Sequence, residues 1–271
     1  MRWLLTITVA ACQQASAPTP TSSSANETPR IITLSPSATE IVAALGADNE
    51  LVGVDDYSDY PPNVTSLPHV GSFMTPNLEV IVQLRPTLVI VDDIHSQVAG
   101  ALHDAKVATL ECAMHTVADV KACLKSVGDA IHKDSKKPIE TIDHAIDHVE
   151  KPAQHPKVLL VIDREQGGVN SLVAAGPGTF NDELLALVGG DNVLAGASVK
   201  YPKIGTEEVL RAQPDVILDL SYAGRDSMKA WDGLAVPAVA HHKVQLLTSS
   251  LLAHPSPRIP EALDLLARSI K

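Results

Sequence analysis

Aromatic residues are scarce: two phenylalanines, two tryptophans and four tyrosines make up 3% of the 271 residues. A core built from this chain must be aliphatic, and an aromatic side chain at a turn stands out. Basic residues are in deficit too, with 21 Lys and Arg against 32 Asp and Glu and a formal charge of −11. Neutralising a phosphate backbone needs clustered Lys and Arg. No basic stripe is present, so a nucleic-acid partner is excluded. The patterns GxSxG, HExxH and the P-loop are absent from the chain. A nucleophile-elbow hydrolase, a zincin and a P-loop nucleotidase are thereby unsupported, and neither an enzyme nor a resident cofactor is expected.

No apolar run is long enough to cross a bilayer. The nearest to one, "WLLTITVAAC" after Met1-Arg2, ends in Val9-Ala10-Ala11-Cys12 and reads as a targeting segment outside the fold. Its end resembles a bacterial lipobox, in which Cys12 would be lipidated and anchor the protein to the membrane. Residues 13–29, "QQASAPTPTSSSANETP", form a Ser/Thr/Pro/Ala tract with no periodic apolar face, suited to a flexible tether. The expected order is a signal segment over 1–12, a tether over 13–29 and a folded body from residue 30. Two further cysteines remain, Cys112 and Cys123. An oxidising compartment allows a disulfide between them, while the helical pattern around Cys123 is equally compatible with a buried thiol.

What the chain does have is internal repetition. "NLEVIVQLRPTLVIVDD" at Asn77 to Asp93 returns as "GTEEVLRAQPDVILDLS" at Gly205 to Ser221, matching Glu79 with Glu207 and Pro86 with Pro214. Each copy reads as a short helix, a proline stop and a buried strand. Upstream, "TEIVAALGADNELVGVDDYSDYP" aligns with "NDELLALVGGDNVLAGASVKYP" and matches Glu40 with Glu183. One α/β unit is used twice.

The first copy opens with a β-branched run, "RIITLSP", and a helix for which Ser37 and Glu40 predict a capping box. Strands alternate with helices and are almost continuously apolar. This predicts two doubly wound α/β lobes with mainly parallel sheets, an N-terminal one over 30–129 and a C-terminal one over 152–271. Between them, residues 130–151 read as one long backbone helix. No glycine interrupts residues 130–150, so the link should be stiff and lobe closure small. Open α/β sheets bind ligands at the carboxyl ends of their strands, which places a cleft between the lobes.

The stretches "RIITLSPSATEIVAALG", "LVGVDDYSDYPP", "NLEVIVQLRPTLVIV" and "SPRI" together resemble the solute-binding proteins of bacterial ABC importers for cobalamin, and more broadly for haem and ferric siderophores. The resemblance runs from Arg30 to Lys271. It implies a monomer on the extracytoplasmic, periplasmic face of the membrane that holds a corrinoid between its lobes and delivers it to a permease. Glu79 and Glu207 match the carboxylates that dock on permease arginines, although a first-turn role at a helix start also suits them.

The ligand site implied by the resemblance comprises Ser35, Pro36, Tyr57, Phe73, Asp92, Tyr201, Ser250 and His254. Tyr57 would lie against the corrin face. Phe73 and Tyr201 fall where the family has tryptophans. Three positions depart from the pattern: Asp92 stands at another tryptophan position, Ser250 at an aspartate and His254 at an arginine. A haem binder would use His254 or Tyr57 on iron, and a ferric siderophore would call for arginines. Neither alternative is closed by the residues. His144 and His148 have the i, i+4 spacing of zinc ligands, but a solvated helix face explains them more simply, and no protein-held metal is expected.

Overall fold

The computed structural model describes residues 29–165, 167–221 and 225–271. The first lobe begins with strand β1 (Ile31–Thr33), helix α1 (Pro36–Ala44) and strand β2 (Leu51–Gly53). A small hairpin, β3 (Gly71–Ser72) and β4 (Thr75–Pro76), precedes helix α2 (Leu78–Gln83) and strand β5 (Leu88–Val91). Helix α3 (Ser96–Asp104), strand β6 (Thr109–Glu111) and helix α4 (Val117–Ala130) complete it. The sheet is parallel throughout, in the order β2-β1-β5-β6. Alternation along each strand divides the apolar residues between two faces. Ile31 and Ile90 join α1 and α4 in one cluster, while Ile32, Val89 and Val91 join Ile81 and Leu102 in another.

Helix α5 (Lys136–His148) leads to the second lobe. There, strand β7 (Lys157–Arg164), strand β8 (Leu172–Ala174), helix α6 (Phe180–Leu187) and strand β9 (Asp191–Asn192) come first. Strand β10 (Lys203–Ile204), helix α7 (Thr206–Ala212), strand β11 (Val216–Asp219), helix α8 (Pro237–Ala240), strand β12 (Val244–Leu246) and helix α9 (Ile259–Ser269) follow. The sheet runs β10-β8-β7-β11-β12, with β9 also paired to β7. The pairs β7–β11, β11–β12 and β7–β9 are parallel, and β8 is antiparallel to both its neighbours. The second lobe thus repeats the first with β8 and β10 added at one edge.

Two expectations need correction in detail, and one open alternative is decided. Ser35 caps α1 by accepting from the Ala38 N–H at 3.2 Å. The expected Ser37–Glu40 box is not formed, because Pro36 at the first helical position shifts the start by two residues and Glu40 is engaged elsewhere. In the expected link over 130–151, the helix covers only Lys136–His148. Helix α4 ends at Ala130 in a turn where His132 has φ 57° and the Lys133 N–H bonds the Gly128 carbonyl at 2.8 Å. Pro138 sits in the first turn of α5, where its missing N–H leaves no helical bond unmade. Cys112 and Cys123 are joined in a disulfide that ties the end of β6 to α4.

The largest apolar cluster does not respect the lobe boundary. It contains Ile31, Ile41 and Leu124 from the first lobe, Ile142 from α5, and Leu160, Leu184 and Leu266 from the second. Helix α5 packs on both α4 and α9.

Candidate functional site

The site lies where strand ends from both lobes meet. In the first lobe, β1 runs out at Ser35 and Pro36, β5 at Asp92 and Ile94, and β6 at Met114 and His115. These residues face Ala253, His254 and Pro255, from the segment between β12 and α9, across a cavity of about 410 Å³ that Ser37 and Phe73 also line. A second cavity of about 100 Å³ shares Met114, His115, Ala253, His254 and Pro255 and extends to Gly178–Asn181, Lys200 and Tyr201. The two are compartments of one inter-lobe cleft.

Of the residues expected at the ligand site, Ser35, Pro36, Phe73, Asp92 and His254 line the larger cavity. Tyr201, which is 52% exposed, lines the smaller one. Tyr57 and Ser250 line neither. Tyr57 is 69% exposed, and its backbone N–H bonds Asp55 Oδ2 at 3.0 Å. Ser250 accepts a hydrogen bond from Arg258 Nη2 at 3.2 Å. Sequence reasoning missed Met114, His115, Ala253 and Pro255, which share no motif; their position just before α4 and α9 was the available signal.

Around Asp92 the chemistry is tightly arranged. Its carboxyl is buried, and burial first, then contact with the Asp93 carboxylate, pushes its pKa up to about 7. Asp93 is held below the usual carboxylate range by hydrogen bonds from Asp92 and from His115, whose Nε2 lies 2.9 Å from Asp93 Oδ2. Two carboxylates in contact cannot both be charged without a proton or a cation between them. Below about pH 7 it is Asp92 that keeps the proton. Donor atoms of Asp92, Asp93 and His115 lie within 4.8 Å of one another, a spacing that suits a metal ion.

His95, another residue without a motif, is buried behind this wall. Its ring meets Phe73 edge to face at 5.0 Å between centroids.

Glu40 holds the opposite side. Its carboxylate is 3% exposed and takes Arg258 Nε at 2.7 Å, Arg258 Nη2 at 2.5 Å and His254 Nε2 at 3.2 Å. Burial raises its pKa, but the hydrogen bonds from His254 and Arg258 outweigh that and leave it below its ordinary value. The Arg258 guanidinium also lies 4.1 Å from the centre of the Tyr60 ring, a cation–π contact.

Glu79 and Glu207 both occupy the second position of their helices, α2 and α7, and both are exposed. Glu79 accepts from Gln83 Nε2 at 3.2 Å. Cys12 and the tether up to residue 28 lie outside the described residues. Among the described residues, no helix is long and apolar enough to cross a membrane.

A family model described as periplasmic binding protein matches residues 31–251. The vitamin B12-binding protein of Vibrio cholerae serotype O1 is 28% identical over 259 residues, covering 89% of each chain. Among solved structures, the apo periplasmic haem-binding protein of Roseiflexus sp. RS-1 superposes with a TM-score of 0.76 at 27% identity, covering 90% of this chain and 100% of that one. The periplasmic vitamin B12-binding protein of Vibrio cholerae superposes with a TM-score of 0.70 at 25% identity, covering 89% and 96%.

Proposed function

The chain belongs to the periplasmic binding protein family, and from that premise we propose that it captures a corrinoid, cobalamin or a near relative, in the inter-lobe cleft and delivers it to the permease of an ABC importer. The observation that carries the reading is the cleft itself, built at the carboxyl ends of both sheets and walled by Phe73, Ile94, Met114 and Pro255. A corrin ring needs broad apolar contact and hydrogen bonds to its amides; it needs no protein ligand on cobalt. Ser35, His115 and His254 supply polar groups among the apolar ones. The remaining expected contacts, Tyr57 and Ser250, would be made at the rim.

One observation favours haem as the second reading: His115 and His254 both line the cleft, and imidazole is a common axial ligand to haem iron. A ferric siderophore has less support, since among the described residues no arginine lines either cavity.

In this reading the protein is a monomer, held at the extracytoplasmic side by a lipid on Cys12, with Glu79 and Glu207 presented to the permease. It acts by stoichiometric binding, and its ligand leaves chemically unchanged. Titration of the protein with cyanocobalamin, cobinamide, hemin and a ferric siderophore, followed by absorbance and calorimetry, tests the assignment. Tightest binding of a corrinoid is expected. Tightest binding of hemin would transfer the assignment to haem, and chemical conversion of any ligand would overturn the binding-protein reading.

A further inference from the structure

We infer that Glu40 and Glu183 form a reciprocal latch between the lobes that fixes the width of the cleft, which makes both of them positioning residues for ligand capture. The inference rests on the cleft being the ligand site. The two glutamates occupy one position of the internal repeat, on α1 and α6. Each of these helices packs against the last helix of its own sheet, α1 on α4 and α6 on α9. Their carboxylates do the opposite and reach across to the other lobe.

Glu40 takes both Nε and Nη2 of Arg258, the residue immediately before α9. Glu183 Oε2 accepts the backbone N–H of Val117, the first residue of α4, at 2.9 Å. The opening helix of each lobe therefore holds the start of the closing helix of the other. The chemistry differs between the two sides. A forked guanidinium gives Glu40 a charged, two-bond partner. Glu183 instead meets the unsatisfied amides and positive dipole end of a helix.

Both held helix starts adjoin the cleft wall. Met114 and His115 lie just before α4, Ala253 to Pro255 just before α9, and these are the residues that both compartments of the cleft share. A shift of either helix start moves the wall. Glu40 acts on the wall directly as well, through His254. Glu40 is buried and Glu183 half-buried; a carboxylate withdrawn from water costs free energy unless it is paired, and a glutamate serving only its own lobe would find that partner locally. Two glutamates related by the repeat and both paired across the boundary set the spacing of the lobes.

The test reads lobe spacing without ligand. Spin labels carried on ketone-bearing residues at the exposed positions of Asp104 and Arg211 leave the Cys112–Cys123 disulfide intact, and the distance between them is measured in the full chain. Glu40→Ala and Glu183→Ala are each expected to lengthen and broaden the distance distribution. Glu183→Gln keeps the original distribution, because its amide oxygen still accepts from Val117, whereas Glu40→Gln behaves like Glu40→Ala, because a neutral amide does not match the guanidinium fork. A general structural role would not separate the two Gln variants in this way. Affinities for cyanocobalamin and hemin are measured in parallel. Where the original spacing falls to a tenth of the population, the affinity for the probe that binds drops about tenfold. Unchanged distributions in both Ala variants overturn the latch. If Glu40→Ala does not fold, Glu183→Ala against Glu183→Gln decides it. Failure of the unaltered protein to bind either probe would overturn the proposed function, while the ligand-free distances still decide the latch.

Discussion

The carbonyl oxygen of Phe73 lies 2.6 Å from His95 Nε2, and Nδ1 of the same ring accepts the backbone N–H of Asp92 at 3.0 Å. One neutral imidazole, donating at Nε2 and accepting at Nδ1, therefore straps the β3–β4 hairpin to the end of β5. It fixes two cavity residues, Phe73 and Asp92, that are 19 residues apart in the chain.

His95→Ala is expected to lower stability by about 1–3 kcal/mol, since it leaves a buried amide and a carbonyl without partners. Ligand affinity should fall as well, because Phe73 loses its anchor. Denaturant midpoints and a ligand titration measure both effects. Unchanged affinity in a folded variant would remove the strap from the binding site.

Asp92 makes stability depend on pH. Its folded pKa of about 7 lies above the ordinary 3.8, so the folded chain holds an extra proton between those values. The contribution is fully present below the unfolded pKa and is lost as pH rises through about 7. Asp93, with a lowered pKa, acts in the opposite sense, but it is exposed and its contribution is small. Melting temperatures should fall from pH 5 to pH 8, and Asp92→Asn should flatten that slope and melt higher at pH 8. Equal slopes in the two proteins would refute a buried, protonated Asp92.

Tyr57→Ala is expected to weaken corrinoid binding by about 2 kcal/mol, the loss typical of an aromatic hot spot. Its 69% exposure without ligand makes it available for contact, and stability should hardly change on its removal. Calorimetry on a folded variant checks this. An unaltered dissociation constant takes Tyr57 out of the site.

Glu79→Ala and Glu207→Ala should leave ligand affinity intact and impair uptake, with the double variant worst affected. Stranding a permease arginine costs about 2–5 kcal/mol if the pair is desolvated, and much less at a wet rim. Transport assays in vesicles, set beside titrations in solution, separate the two roles. Normal transport by the double variant would end the docking assignment.

The repeats made most of the fold legible. Residues matched by them fall in equivalent elements, α1 with α6, α2 with α7 and β5 with β11. The antiparallel β8 was not legible, because Leu172–Ala174 is three residues long and has no counterpart in the first lobe. The start of α1 was misplaced because Ser35 and Ser37 both have N-cap chemistry, and Pro36 between them settles the choice. In the cleft, Phe73, Asp92, Tyr201 and His254 were placed by resemblance. His95 and His115 act through contacts with residues 22 positions away, Phe73 and Asp93, and no local pattern encodes such contacts.

The apolar cluster that unites the lobes also bears on how the chain folds. Ile31 and Ile41, near the start, share it with Ile259, Leu263 and Leu266, near the end, and the Glu40–Arg258 pair closes a separation of 218 residues. Contacts of such long range delay folding, because their chain entropy must be lost before they contribute. A nascent chain that has not yet delivered α9 has no complete surface on which α5 and α6 can bury their apolar faces. Until then those faces stay uncovered, so the largest core is finished late, once α9 is in place.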